Sequence, residues 1–206
     1  MKRQPILPFF LINLLLFLFL AWSVQSTQSF VHVLDQWGMN TLTAASESSL
    51  TKMSSAFTQL GSYNICLTFG FILSLWAIQK ENHWLSFCIL AGSASTRLIS
   101  VYLKGAIDRD RPPMETYTSF HGAAFPSGHA LYALFIYGMI VLLLSLFAKK
   151  RILCISMTSL AVAIIILIGW SRVYLGAHYL TDVMGGWFIG GVWLSFIWFV
   201  GTLRQK

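Results

Sequence analysis

Apolar residues in this chain come in long runs separated by short polar segments. The runs cover roughly 6–24, 57–78, 84–103, 129–148, 152–170 and 179–203. Each is close to the ~20 residues that a helix needs to cross the hydrocarbon core of a bilayer. The expected architecture is all-α: an integral membrane domain over residues 1–206, six transmembrane helices in one bundle. The first run is longer than the ~7–15-residue apolar core of a cleavable signal and ends Ala21-Trp22-Ser23, so it reads as a retained span.

Two stretches qualify the pattern. Residues 25–56 open with Phe30, Leu34 and Trp37 at i, i+4, i+7, the spacing of an interfacial helix. Asp35 and His32 define no polar stripe against them, so a surface loop fits equally well, and the Ser/Thr-rich stretch 41–55 then leads into the second span. In the last run, Gly186 and Gly190 have the small-x-x-x-small spacing of closely packed helices. Trp170, Trp187, Trp193 and Trp198 lie along the last two runs, and those near the ends read as interface anchors.

Composition supports the membrane reading. Charged residues make up 10% of the chain and apolar ones 56%, with a mean hydropathy of +0.69. A soluble domain carries about 25% charge, so a soluble enzyme, a disordered chain and a coiled coil are excluded. The net charge of +7 would point to nucleic acid in a soluble protein; here it points to basic cytoplasmic loops, with no nucleic-acid partner. With the N-terminus in the cytoplasm, Lys2, Arg3, Lys80, Lys149, Lys150, Arg151, Arg204 and Lys206 fall on that side. The opposite face receives Lys52, Lys104, Arg109, Arg111 and Arg172, while Arg97 lies inside the third span. Those outer charges need another explanation. Cys66, Cys88 and Cys154 each sit in an apolar run without Cys-x-x-Cys spacing and read as small core residues.

The explanation lies at the outer ends of the last four spans. The loop from Lys104 holds Asp108, Arg109, Asp110, Arg111 and Glu115, and Pro126-Ser127-Gly128-His129 follows at the entrance to the fourth span. A helix opened by Ser-Gly presents backbone N–H groups and a positive dipole end, which suit an anion. The fifth span leads into Ser171-Arg172, then His178, with Asp182 four residues on and on the same helical face. A carboxylate on one ring nitrogen fixes the tautomer and frees the other nitrogen for nucleophilic work. Each fragment alone has a structural reading, as an N-cap or a His–Asp pair. Together they set Lys104, Arg111, Arg172, His129, His178 and Asp182 at one level. The two imidazoles and the carboxylate have the chemistry of a metal triad, but three fixed cations repel a divalent ion and suit a phosphoryl group.

Lys104-x6-Arg111-Pro112, Pro126-Ser127-Gly128-His129 and Ser171-Arg172-x5-His178-x3-Asp182 resemble the three-part signature of the type 2 phosphatidic acid phosphatase superfamily. The resemblance implies an acid phosphatase/vanadium haloperoxidase-like helical fold and, in this short form, a bacterial lipid phosphatase. Such enzymes act on phosphatidylglycerophosphate, phosphatidate or undecaprenyl pyrophosphate. It further implies His178 as the nucleophile that becomes a phosphohistidine, Asp182 as its orienting group, and His129 as acid and then base. Lys104, Arg111, Arg172, Ser127 and the Gly128 amide would bind phosphoryl oxygens. No metal and no cofactor is implied, and no protein partner. Pro112 and Pro126 are expected to shape the loop.

Arg97 lies two turns below Lys104, about 10 Å away. It is either a contact for a headgroup or second phosphate, or a structural partner within the bundle. Tyr117 and His121 are lid or headgroup candidates, or solvated loop residues. Two other functions fit parts of the pattern: a haloperoxidase-like enzyme, against which the six spans count, and a lipid-phosphate transporter or binding protein, which has no use for both histidines and Asp182. The expected location is the bacterial cytoplasmic membrane, multi-pass, with the active site on the extracytoplasmic face.

Overall fold

The computed structural model describes residues 6–43, 49–113, 121–147 and 150–203. Lys2, Arg3, Lys149, Arg204 and Lys206 of the charge pattern, Glu115 and Tyr117 of the outer loop, and Ala148 at the end of the fourth run lie outside the described residues. The elements are α1 (Ile6–Gln25), α2 (Ser29–Leu42), α3 (Ser49–Gln59), α4 (Tyr63–Gln79), α5 (His83–Ile107), α6 (Gly128–Phe147), α7 (Arg151–Tyr174) and α8 (Leu180–Thr202). Among the described residues, α1, α5, α6, α7 and α8 are long and apolar enough to cross a membrane, and α3 with α4 make a sixth span if the bent pair is taken as one.

That second span differs from its expected form. It starts at Ser49 rather than 57 and bends by 42° between Gln59 and Tyr63. The Ser/Thr-rich stretch is helical because its hydroxyls turn inward: Thr51, Ser54 and Thr58 are buried, while Leu50, Met53 and Phe57 face out. This inside-out polarity is that of a helix in lipid. Gly61 sits at the break because the chain closes tightly there. A Cβ on it would stand 2.5 Å from Ile168 Cγ2 and 3.2 Å from the His129 carbonyl oxygen.

Helix α8 runs through the centre of the bundle, against α1, α5 and α6. Small residues bring it close to α6. A Cβ on Gly186 would lie 2.5 Å from the Ser127 carbonyl oxygen, and one on Gly190 3.0 Å from that of Leu131. The small-x-x-x-small spacing is therefore a packing seam. Being central also changes the role of two tryptophans. Trp198 is 3% exposed and packs with Ile89, Phe135 and Met139, and Trp193 donates its indole N–H to the Gly92 carbonyl at 3.1 Å. Trp198 is thus a core residue rather than an interface anchor.

Of the two readings of 25–56, the helical one holds for α2. Its Val31, Asp35 and Gly38 are buried against the bundle, and Phe30, Val33 and Trp37 point away from it. It packs on α7 and α8, at the end where α5 and α7 finish and α6 and α8 begin.

Candidate active site

The turn between α7 and α8 places His178. Helix α7 closes with Gly176 in the left-handed region at φ 65°, where the Gly176 and Ala177 amides donate to the carbonyls of Val173 and Arg172 at 2.9 and 3.0 Å. This tight closure turns the chain at once into α8 and leaves His178 only 3% exposed. Asp182, in the first turn of α8, accepts a hydrogen bond on Oδ2 from the Tyr179 amide at 2.9 Å, the reach-back half of a capping box. The same Oδ2 lies 3.5 Å from His178 Nδ1. That exceeds a good hydrogen bond, but contacts of this kind tighten when the reacting group arrives. Asp182 Oδ1 accepts from Arg109 Nη1 at 2.6 Å.

His129 is brought to the same level by the start of α6. The Ser127 amide donates to the Asp182 carbonyl at 2.9 Å, which ties the N-terminus of α6 to that of α8. The Ser127 N–H is thereby committed to the fold. Its Oγ is different, being fully buried and without a hydrogen-bond partner among the described residues. At Gly128 a Cβ would crowd Ser100 Oγ and Tyr132 Oη, both at 3.1 Å. Glycine keeps that approach open.

The cations come from three segments. Lys104 Nζ, at the end of α5, donates to the carbonyls of Ala123 and Ala124. Arg111 donates from Nε to the Gly122 carbonyl (2.8 Å), from Nη1 to that of Ala177 (2.7 Å) and from Nη2 to that of His121 (3.2 Å). Buried Arg172 in α7 donates from Nη1 to Thr58 Oγ1 at 3.1 Å, so the inward hydroxyl stripe of α3 serves the site. All three cations act electrostatically on both His178 and His129. Burial pushes the His178 pKa well below the ordinary imidazole value, and Arg172, Lys104 and Arg111 push it the same way. The ring is neutral at neutral pH. Burial also lowers the Arg111 pKa, yet an arginine keeps its charge. Burial opposes the Arg109 cation, but Asp182 and Asp35 outweigh it and the pKa is raised.

One carboxylate and two histidines among this much positive charge are poor metal ligands, and no group of three His, Cys, Asp or Glu among the described residues is placed to hold a metal ion. An anion with several oxygens suits the same geometry. The structure therefore brings together His178, Asp182, His129, Lys104, Arg111, Arg172, Ser127 and Gly128. Arg97 is exposed on α5 with its guanidinium over the Tyr63 ring, 5.2 Å from the centroid. Three residues drawn into the site had no assigned part in it: Asp35, Thr58 and Thr181. Arg109 was visible only as loop charge. The Thr51-x2-Ser54-x3-Thr58 stripe and the Val31, Asp35, Gly38 line were the available signals, each a buried face masked by a more obvious apolar one.

The model of the PAP2 superfamily matches residues 84–205. Phosphatidylglycerophosphatase B of Bacillus subtilis is 31% identical over 146 residues, covering 68% of this chain and 70% of that protein. Lipid A 1-phosphatase of Rhizobium etli is 32% identical over 124 residues, 55% of this chain and 49% of the relative's length. The crystal structure of a transmembrane PAP2-type phosphatidylglycerolphosphate phosphatase from Bacillus subtilis superposes with a TM-score of 0.84 at 25% identity, over 95% of this chain and 98% of that one.

Proposed function

Because this chain belongs to the PAP2 superfamily and is a membrane lipid phosphatase, we propose that it hydrolyses its substrate through a phosphohistidine on His178, without a metal. The observation that carries this reading is a buried imidazole with Asp182 Oδ2 3.5 Å from its Nδ1 and with Lys104, Arg111 and Arg172 acting on it. Those cations, with Ser127 Oγ and the Gly128 amide, bind the non-bridging phosphoryl oxygens and the charge of the transition state. The unprotonated His178 nitrogen attacks phosphorus; the bond to the lipid oxygen breaks, and His129 gives that oxygen its proton. Neutral His129 then takes a proton from water, which attacks the phosphohistidine. Inorganic phosphate leaves and His178 is regenerated.

The substrate is a lipid phosphomonoester or pyrophosphate. Among phosphatidylglycerophosphate, phosphatidate and undecaprenyl pyrophosphate, the likeness to phosphatidylglycerophosphatase B favours the first. The basic residues support an external active site: Lys80, Lys150 and Arg151 lie at one end of the bundle and the candidate site at the other. Transport or haloperoxidase chemistry is not favoured by the family or its lipid phosphatase relatives.

Phosphate release by the purified protein from the three lipids tests this. Activity with phosphatidylglycerophosphate, unchanged by a chelator and inhibited by vanadate, is expected. Loss of activity in chelator with rescue by a divalent cation would overturn the metal-free mechanism.

A further inference from the structure

Arg109 joins two buried carboxylates. It donates from Nη1 to Asp182 Oδ1 at 2.6 Å and from Nη2 to Asp35 Oδ2 at 2.5 Å, with its Cζ 4.4 Å from the centroid of the Tyr179 ring. Asp35 is 4% exposed although it sits on α2, a helix outside the bundle's spans. Its Oδ1 accepts from the Thr181 amide at 3.0 Å and from the Thr181 hydroxyl at 2.9 Å, and that hydroxyl accepts from Arg109 Nη1 at 2.8 Å. Thr181 and Asp182 are adjacent in the first turn of α8. The carboxylate beside His178 is thus held by a closed network drawn from α2, the loop after α5, and α8.

Asp35 also caps α8, since it accepts from an amide of the first turn. A cap alone needs only a neutral acceptor. A buried carboxylate is costly unless it is paired, and this one is paired with the guanidinium that also holds Asp182. Arg109 divides its charge between two anions. It therefore fixes Asp182 in place without drawing off the full negative charge that His178 Nδ1–H must meet.

We propose that Asp35 is a positioning residue: through Arg109 and Thr181 it sets the orientation and effective charge of Asp182, and so the tautomer and aim of the His178 imidazole. The proposal rests on the reading of His178 as nucleophile. The hydrogen-bond partners of Asp35 among the described residues are Arg109 and Thr181, neither a phosphoryl-binding group, so its loss is expected in kcat and not in KM.

The test is Asp35→Asn in the full-length protein, which keeps an acceptor for Thr181 and removes the charge. The expected result is a kcat about 10–100-fold lower, the range for loss of a group that orients a reacting ligand, with KM within about threefold. The acidic limb of the kcat–pH profile should also move to lower pH, because a negative charge near the His178 network is gone. The groups facing His178 are Lys104 from α5, Arg111 from the loop, His129 from α6, Arg172 from α7 and Asp182 from α8, and none is altered. Around Asp35 itself, His32, Arg109, Asp110 and Tyr179 line one cavity of about 580 Å³ and also stay as they are. An unchanged kcat and pH limb in folded Asp35→Asn would overturn the proposal and leave Asp35 a helix cap. Should that variant not accumulate, Thr181→Val cuts the shared hydroxyl link. It is expected to lose kcat several-fold at constant KM, and a wild-type kcat there overturns the proposal equally. His178→Ala measured alongside separates the two claims. If it keeps turnover, the nucleophile reading fails; if it is inactive while Asp35→Asn matches wild type, only the role of Asp35 fails.

Discussion

His178 is kept neutral by its surroundings, and this has consequences for stability as well as chemistry. Burial and three cations hold its pKa below the unfolded value of about 6.5. Between those two values the unfolded chain binds the extra proton, so stability rises with pH. The contribution is fully present above pH ~6.5 and is lost as pH falls toward the folded value. The thermal stability of wild type should therefore fall from pH 7 to pH 5 more steeply than that of His178→Gln, and equal slopes would contradict the assignment. In kinetics, His178→Ala should lower turnover by roughly 10³-fold or more, while a lipid phosphate still binds to the intact cation cluster. Loss of binding with turnover per bound substrate intact would place His178 among the binding groups instead.

Among the elements, the broken second span distinguishes what the chain pattern revealed from what it concealed. Runs of apolar residues marked the candidate membrane spans, and motif spacing singled out the eight residues proposed for the site, because both signals are local. Hydropathy did not expose α3, whose inward face is made of hydroxyls. Nor did it expose Asp35, whose partners Arg109 and Thr181 are about 74 and 146 residues away in the chain. Those pairings exist only once α2 has docked. The break at Gly61 yields a prediction of its own. Gly61→Ala sets a Cβ against Ile168 and the His129 backbone, so about 1–3 kcal/mol of stability should be lost to overpacking, together with activity as His129 shifts. Gly105→Ala, with nothing within 4 Å of the new Cβ, should be neutral or stabilising by up to ~1 kcal/mol. Paired thermal melts and phosphate-release rates in one lipid or detergent check both; a harmless Gly61→Ala would mean that the break has no part in placing His129.

In the whole molecule, the candidate site lies at one end of a bundle with apolar outer faces, such as those of Leu15, Leu18 and Phe19 on α1. A lipid can present its phosphate there while its chains stay in the bilayer. Which leaflet supplies that lipid depends on orientation. In a background without the three native cysteines, His121→Cys and Lys150→Cys mark exposed positions at opposite ends of the bundle. An impermeant thiol reagent on intact cells should label position 121 and spare 150. The reverse pattern would put the site in the cytoplasm.

The central claim, a covalent phosphohistidine on His178, is tested most directly by trapping it. Enzyme mixed with a lipid substrate labelled in its phosphate is quenched in alkali within one turnover, and the labelled peptide is mapped. Label is expected on His178, none in His178→Ala, and faster accumulation than loss when His129 is replaced by Gln and a good leaving group is used. Full turnover with no label on His178, or label on another residue that persists in His178→Ala, would contradict it.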